Sequence, residues 1–399
     1  MKIIGTFLVL MYINTVYAGN TIMFSDVYQA YQAINPTTKS LKHSISSKNL
    51  DAEYENSFSP LDFDIATENA GLSSLEFTVG QAFELGDQKN KRAIVMKNEV
   101  KSLKAKVEYE EREAELKIGS LYLAAIILLE EEGIIDSVIA LTTDGLNWVE
   151  KSVAAGNLPK IDLLRMDLEL KEVTFKKTLL QEKRRSIYSV LKVLTGIEIM
   201  MDDSLESPIH SILNLKPVSS IEEISPLQQI SQADVETAKA RVDAADTPLL
   251  KEIRLQGGTT LSPNEGTTVG LLNIGITVPL FSRTNSKVQS SKELLKSESE
   301  TNKGVNLEIK QIKKTLVQRI SLLLKEVQYI DTVLLPQSYA ITKEMNKYIE
   351  ESVFSFIDFQ SVRKGHLALI NKRTDLVHKL GTAWLELSIY TKEKINVFK

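Results

Sequence analysis

The sequence contains no cysteine, which excludes disulfide bonds, thiolate metal sites and a cysteine nucleophile. Only 10 prolines and 18 glycines interrupt its 399 residues, of which 43% are hydrophobic and 25% are charged. That balance is typical of long amphipathic helices. The 48 lysines and arginines are outnumbered by 52 aspartates and glutamates, so the chain offers no strong basic field to nucleic acid.

Long apolar runs are also scarce. The longest one after the N-terminus, Leu121 to Leu129, falls well short of the roughly 20 residues that a membrane-spanning helix needs. If the protein enters a membrane, we therefore expect it to do so through β-strands. At the N-terminus, Lys2, an apolar run over 3–13 and Ala18 predict a secretory signal peptide over 1–18, with an uncleaved anchor helix as the alternative.

Helical periodicity dominates the rest of the chain. Apolar residues recur at alternating steps of three and four from Leu163 to Leu194 and from Val305 to Leu334, which is the pattern of a coiled-coil seam. The sequence predicts long helices over about 87–153, 161–194, 285–350 and 356–391. Pro336 lies inside the third helix, and we expect a kink there because proline lacks the N–H of the helix ladder.

Four shorter segments alternate apolar and polar residues, which predicts strands over about 61–67, 74–82, 254–261 and 268–280. Four strands cannot close a barrel with a lumen, and an open sheet edge in hydrocarbon leaves backbone groups without hydrogen bonds. Three copies of the chain would supply 12 strands, which lies within the range of outer-membrane barrels. Two soluble hairpins packed on a helical bundle are the alternative.

The two halves of the chain repeat one another. Thr78 and Thr277 lie in matching triplets 199 positions apart, and Asp162 and Asp358 follow isoleucines 196 positions apart. We interpret residues 19–198 and 225–392 as two helix–hairpin–helix repeats, joined by a linker or equatorial segment over 199–224 and followed by a tail over 393–399.

The junctions between strands and helices and the turns between helices carry patterns that are more specific than periodicity alone. The strand-to-helix junctions over 77–85 and 275–281 and the helix turns over 155–162 and 355–358 resemble those of the TolC family of outer-membrane efflux channels. The stretch over 84–92, together with Asn35-Pro36 and Leu334-Leu335-Pro336, is most similar to the heavy-metal (CzcC-like) branch of that family. The resemblance covers essentially the whole chain after the signal peptide.

The resemblance implies a mainly α fold with a small β part: a long antiparallel coiled-coil barrel of helices in the periplasm, and four strands per protomer in a 12-stranded outer-membrane β-barrel. It implies a homotrimer in contact with outer-membrane lipid, docked on a periplasmic adaptor (membrane fusion) protein and an inner-membrane pump of the resistance-nodulation type. Such an exit duct passively exports metal ions or small toxic compounds.

The resemblance also implies site residues. The periplasmic gate and selectivity positions correspond to Asp162, Asp358 and Ser361, where Ser361 stands in place of a second acid. Macrodipole stabilisation of a helix N-terminus is the other interpretation of the two aspartates. The adaptor-docking tips would be Gly156, Asn157, Leu158, Pro159, Ser355 and Phe356. The alternation of the strands itself predicts the lumen-facing residues, which are the polar members Asp62, Asp64, Glu76, Thr78, Asn273 and Thr277.

Catalytic and metal-binding patterns are not found in the sequence. The four histidines lack the spacing that would place two of them on one helix face, and we find neither a phosphate loop nor a nucleophile motif. The sequence therefore predicts no enzyme, no cofactor and no metal site. A type I protein-secretion channel and a soluble periplasmic coiled-coil adaptor or scaffold are the two alternative functions.

Overall fold

The computed structural model describes residues 21–67, 74–215, 224–246, 251–262, 267–278, 284–350, 356–392 and 394–398. The predicted signal peptide lies outside these residues. The helices are α1 (Phe24–Ile34), α2 (Pro36–Asn56), α3 (Gln88–Ala154), α4 (Lys160–Thr195), α5 (Ile209–Asn214), α6 (Pro226–Ala245), α7 (Thr284–Tyr329), α8 (Leu335–Glu350) and α9 (Phe356–Tyr390). The strands are β1 (Thr21–Ile22), β2 (Leu61–Thr67), β3 (Leu75–Glu84), β4 (Ser204–Leu205), β5 (Glu252–Ser262) and β6 (Thr267–Thr277).

The chain divides into two compact units. The sheet unit comprises Thr37–Tyr109 and Ile224–Ile309, and the core unit comprises Met1–Pro36, Glu110–Glu223 and Lys310–Lys399. Each unit takes segments from both predicted repeats, so the boundaries of the units differ from those of the repeats. Among the described residues, no helix is both apolar enough and long enough to pass through a bilayer.

The sheet unit contains a four-stranded antiparallel sheet in the order β2-β3-β5-β6. The strand boundaries differ from the predicted ones: β3 runs to Glu84, β5 begins at Glu252, and β6 ends at Thr277 rather than at residue 280. Pro279 lacks a backbone N–H, and β6 ends before it. Gly258 is required by close strand pairing, because a Cβ there would lie 2.2 Å from the carbonyl oxygen of Phe77.

Polar contacts tie the helices of the sheet unit to each other and to the sheet. Glu99 on α3 accepts from Lys48 on α2 and from Arg241 on α6, both at 2.7 Å. Arg92 binds Glu55 at 2.5 Å and Glu84 at 2.8 Å, and so joins the end of α2, the end of β3 and the start of α3.

The core unit is built around a large cluster of buried apolar side chains, in which Trp384, Tyr122 and Leu380 are fully buried. Short strands β1 and β4 pair in parallel beside this cluster. Arg112 on α3 is buried and donates to the carbonyl oxygens of Ser388, Thr391 and Lys392, so it satisfies acceptors at the C-terminal end of α9. Residues 204–214 of the predicted linker carry β4 and α5, whose Ile212 is buried in the same core.

The helix predicted over 285–350 is not continuous α-helix. A π segment over Ile330–Leu334 separates α7 from α8, and the Leu335 N–H donates to the carbonyl oxygen of Ile330, five residues earlier. Pro336 follows at once and has no N–H to donate. A change of hydrogen-bond register just before the proline avoids the clash that an uninterrupted α-helix would impose. The sequence predicts an irregularity at Pro336, whereas the irregular helical turn in the structure is the π segment that precedes this proline.

Candidate functional site

The turn between α3 and α4 is closed by a Schellman motif. Gly156 adopts a left-handed conformation with φ of 77°. Its N–H donates to the carbonyl oxygen of Val153 at 3.0 Å, and the Asn157 N–H donates to that of Ser152 at 2.9 Å. Pro159 then caps α4. Gly156, Asn157 and Pro159 are exposed and Leu158 is half-buried, so the predicted first docking tip is a hydrogen-bonded turn with an exposed surface.

Asp162, a predicted gate residue, lies in the first turn of α4. Its carboxylate is only 14% exposed and lies 3.3 Å from the guanidinium of Arg165. The positive end of the helix macrodipole and Arg165 therefore both balance its charge. The role of Asp162 in the gate stays a prediction.

The second turn is described only in part. Ser355 lies outside the described residues, and Phe356 is the first residue of α9. Asp358 is in the first turn of α9, as Asp162 is in the first turn of α4. Ser361 is exposed. The structure thus gives the two aspartates matching positions in their helices, while the side chain of Asp358 lies outside what it describes.

The strand register places the six predicted lumen residues on one face of the sheet. Asp64 lies opposite Thr78, Glu76 lies opposite Thr260, and Asn273 lies opposite Gln256. The other two, Asp62 and Thr277, lie opposite Gly80 and Glu252. Because side chains directly opposite each other share a face, all six belong to one polar surface.

The sequence did not predict that Gln256, Arg254, Glu84 and Glu252 also lie on this polar face. The Nε2 atom of Gln256 lies 2.8 Å from Thr78 Oγ1 and 3.0 Å from Asp64 Oδ2, and so connects three strands. Arg254 lies 3.8 Å from Asp62 and 4.0 Å from Glu252. The alternation of β5 could have predicted this placement, since the polar residues 254 and 256 lie between apolar or small neighbours.

The polar face is strongly acidic. Its described carboxylates on the strands are Asp62, Asp64, Glu76, Glu84 and Glu252, and Arg254 is the cation among the described strand residues of this face. The opposite face is apolar, and none of the residues that the structure describes covers it: Phe63 is 73% exposed and Leu272 is 78% exposed. The sheet therefore has one acidic surface and one uncovered hydrophobic surface.

Helix α4 also carries two apolar stripes. Met166, Leu180 and Leu191 belong to the packed seam and are buried. A second stripe lies about two residues away in sequence, which is about 200° around the helix, and its members are exposed. They are Ile161, Leu164, Leu168, Phe175, Leu179, Val190 and Val193.

No protein-family model matches this sequence, and no curated protein matches it by sequence. Solved structures do match. The chain is similar to CusC, at 10% sequence identity and a TM-score of 0.75, with 95% of each chain covered. It is also similar to the Campylobacter jejuni CmeC outer membrane channel, at 12% identity and a TM-score of 0.70, with 92% of this chain and 85% of that chain covered.

A third similar structure is the open state of the Neisseria gonorrhoeae MtrE outer membrane channel, at 13% identity and a TM-score of 0.66. The match covers 94% of this chain and 91% of that one. The predicted TolC-like fold, mainly helical with a small four-stranded antiparallel sheet, is confirmed. The assignment to the heavy-metal branch stays a prediction.

Proposed function

We propose that this protein is the outer-membrane exit duct of a tripartite efflux system and passively conducts metal ions or small toxic compounds. The observation that carries the proposal is the two-faced sheet on a TolC-like fold. Its hydrophobic face, with Phe63, Leu272 and Ile274 exposed, suits lipid, and its acidic face suits a water-filled lumen. We infer no catalytic role for any residue, and transport energy would come from a partner.

Assembly from three copies would remove the open edges of the sheet. Within the described sheet, β2 pairs with β3 alone and β6 pairs with β5 alone, so both outer strands keep unpaired backbone groups on one side. Pairing β6 of one copy with β2 of the next would satisfy these groups in hydrocarbon. Three such pairings give the 12-stranded β-barrel of a homotrimer.

The helices of the core unit favour the same assembly. The exposed stripe of α4 has a counterpart on α7, where Leu322 and Tyr329 are exposed seven residues apart, which is the spacing of a coiled-coil seam. These two stripes differ, so a contact between them in different copies would be heterologous, and a heterologous contact can close into a ring.

The acidic face would make the lumen attractive to cations. A narrow passage lined by carboxylates raises the local concentration of positive ions. Asp62, Asp64, Glu76, Thr78, Asn273 and Thr277 would line this part of the duct, with Arg254 and Gln256 beside them. We favour export of metal ions or other cationic compounds on this basis.

The helix turns would form the periplasmic end of the duct, which docks on the adaptor and gates the passage. The exposed turn over 156–159, with Ser355 and Phe356 at the second turn, would contact the periplasmic adaptor, which links the duct to an inner-membrane pump of the resistance-nodulation type. Asp358 and Ser361 would contribute to the periplasmic gate. Asp162 would contribute less to ion selection, because Arg165 already pairs with its carboxylate.

Planar-bilayer conductance of the detergent-purified protein tests the proposal. We expect stepwise conductance that prefers cations, and a lower preference in Asp62→Asn/Asp64→Asn/Glu76→Gln, because the variant removes three carboxylates per copy. Asp358→Asn tests the gate, with Asp162→Asn as the matched comparison. A protein that purifies as a water-soluble monomer without detergent, and gives no conductance, would contradict the exit-duct function and favour the adaptor alternative.

A further inference from the structure

Helix α2 in the sheet unit has a packed side and an exposed side. On the packed side Ala52 is buried and Lys48 binds Glu99. On the opposite side lie His43, Ser47, Leu50 and Tyr54, all exposed. Only the last two turns of this exposed side are apolar, and they are the turns nearest the sheet.

Phe58, just beyond α2, continues this apolar end and is held in place although it is 83% exposed. The ammonium of Lys89 lies 5.8 Å from the centre of the Phe58 ring and donates to the carbonyl oxygen of Ser57 at 2.9 Å. The Ser57 N–H donates to the carbonyl oxygen of Tyr54 at 3.0 Å. An exposed aromatic ring with a fixed cation beside it is therefore built into this turn.

The apolar end of α2 is continuous with the uncovered face of the sheet. The chain passes from Phe58 directly into β2, where Leu61, Phe63 and Ile65 are exposed. Away from the sheet, the same side of α2 becomes polar at Ser47 and His43. A helical partner would favour an apolar stripe along the whole helix, whereas a bilayer surface would cover only the part nearest the strands.

We propose that Leu50, Tyr54 and Phe58, here called the collar, lie in the interfacial layer of the bilayer, with Lys89 beside lipid phosphates. The proposal rests on the proposed function, which places the sheet in a membrane. Aromatic and basic side chains favour this layer, because one end of the site is apolar and the other is hydrated. The four residues from Leu50 to Tyr54 rise about 6 Å along the helix. That rise is comparable to the roughly 5–7 Å of headgroup region on each side of a bilayer.

The natural absence of cysteine makes a labelling experiment direct. Single-cysteine variants Tyr54→Cys and Phe58→Cys of the full chain carry an environment-sensitive fluorophore in vesicles of phosphatidylethanolamine and phosphatidylglycerol. Nitroxide lipids labelled at the headgroup or in the acyl chain serve as quenchers. Phe63→Cys is the reference for the hydrocarbon region. Ser47→Cys is the matched control, exposed on the same side of α2 but farther from the sheet.

We expect headgroup nitroxides to quench the labels at 58 and 54 several-fold more than the label at 47, and acyl-chain nitroxides to quench the label at 63. Quenching at 54 and 58 that is no stronger than at 47 would contradict the interfacial position of the collar. Labels at 54 and 58 that neither nitroxide lipids nor a water-soluble quencher can reach would also contradict it, because a second copy of the chain would then cover them. Absence of acyl-chain quenching at 63 would instead contradict the proposed function, so the two failures are distinguishable.

Discussion

The guanidinium of Arg184 on α4 and the carboxylate of Glu132 on α3 form a two-point ion pair, with N–O distances of 2.7 and 2.9 Å. The two side chains are only 5% and 9% exposed. Arg184 also donates to the carbonyl oxygen of Met201 at 2.8 Å. Arg184 occupies a seam position of α4, at which the coiled-coil pattern predicts an apolar residue. Its charge is therefore buried, and the ion pair with Glu132 balances it.

Arg184→Met should lower the free energy of unfolding by about 3–5 kcal/mol, because it leaves the Glu132 carboxylate buried without its partner. Arg184→Met/Glu132→Leu should recover most of that loss, since neither charge is then buried. Chemical denaturation in detergent measures both. Arg185→Met is the control: its partner Glu182 is exposed, and the expected cost is at most about 0.5 kcal/mol. Equal losses in the single and double variants would contradict this account.

Gly156→Ala should destabilise the turn between α3 and α4. A left-handed conformation costs an L-residue about 1–2 kcal/mol, and Gly156 has a φ of 77°, although a Cβ added there would meet no other atom within 4 Å. Gly133→Ala, on an exposed face in the middle of α3, should instead stabilise the protein by about 1 kcal/mol. The thermal unfolding temperature should therefore fall for Gly156→Ala and rise for Gly133→Ala. Shifts of the same sign would contradict the left-handed conformation of Gly156.

Gly258→Ala should impair formation of the sheet. Its Cβ would lie 2.2 Å from the Phe77 carbonyl oxygen and 2.6 Å from Thr78 Cγ2, so β3 and β5 could not keep their spacing. Overpacking of this kind costs at least about 1–3 kcal/mol, and a backbone neighbour cannot rotate away. Gly270→Ala on β6 meets nothing within 4 Å and is the matched control. The fraction of protein that resists protease in detergent should fall for Gly258→Ala and remain unchanged for Gly270→Ala.

Glu115 on α3 should make the stability of the core unit depend on pH. Its carboxylate is buried 3.1 Å from Lys394, and burial raises its pKa above the ordinary value of 4.5, although Lys394 and Arg112 act in the opposite direction. A raised folded-state pKa means that the folded protein binds the proton more tightly. The stabilisation is therefore complete below pH 4.5 and is lost as the pH rises through the folded-state pKa.

Unfolding measured across this pH range checks the sign. Glu115→Gln should lack this component of the pH dependence, because the amide does not titrate. Lys394→Met should move the loss of stability to higher pH, because it removes a cation that lowers the pKa of Glu115. Identical pH profiles for the wild type and Glu115→Gln would show that another group is responsible.

The elements and the fold class were accessible from the sequence because their signals are local. Steps of three and four along the chain predict helices, and steps of two predict strands, since each period follows from the backbone geometry of a few successive residues. The same alternation placed Asp62, Asp64 and Asn273 on one polar face, and the strand register agrees with that placement. Boundaries were less accessible, because the end of β3 is set by pairing with β5.

Only the tertiary structure decided which polar groups meet. Gln256 joins Asp64 and Thr78 across strands far apart in sequence, and Arg112 closes the end of α9 from another helix. The same holds for the position of Arg184 opposite Glu132 and for the π segment before Pro336. Periodicity reports which side of an element is apolar, whereas ion pairs, caps and register changes depend on the identity and distance of neighbours that the chain brings together only when it folds.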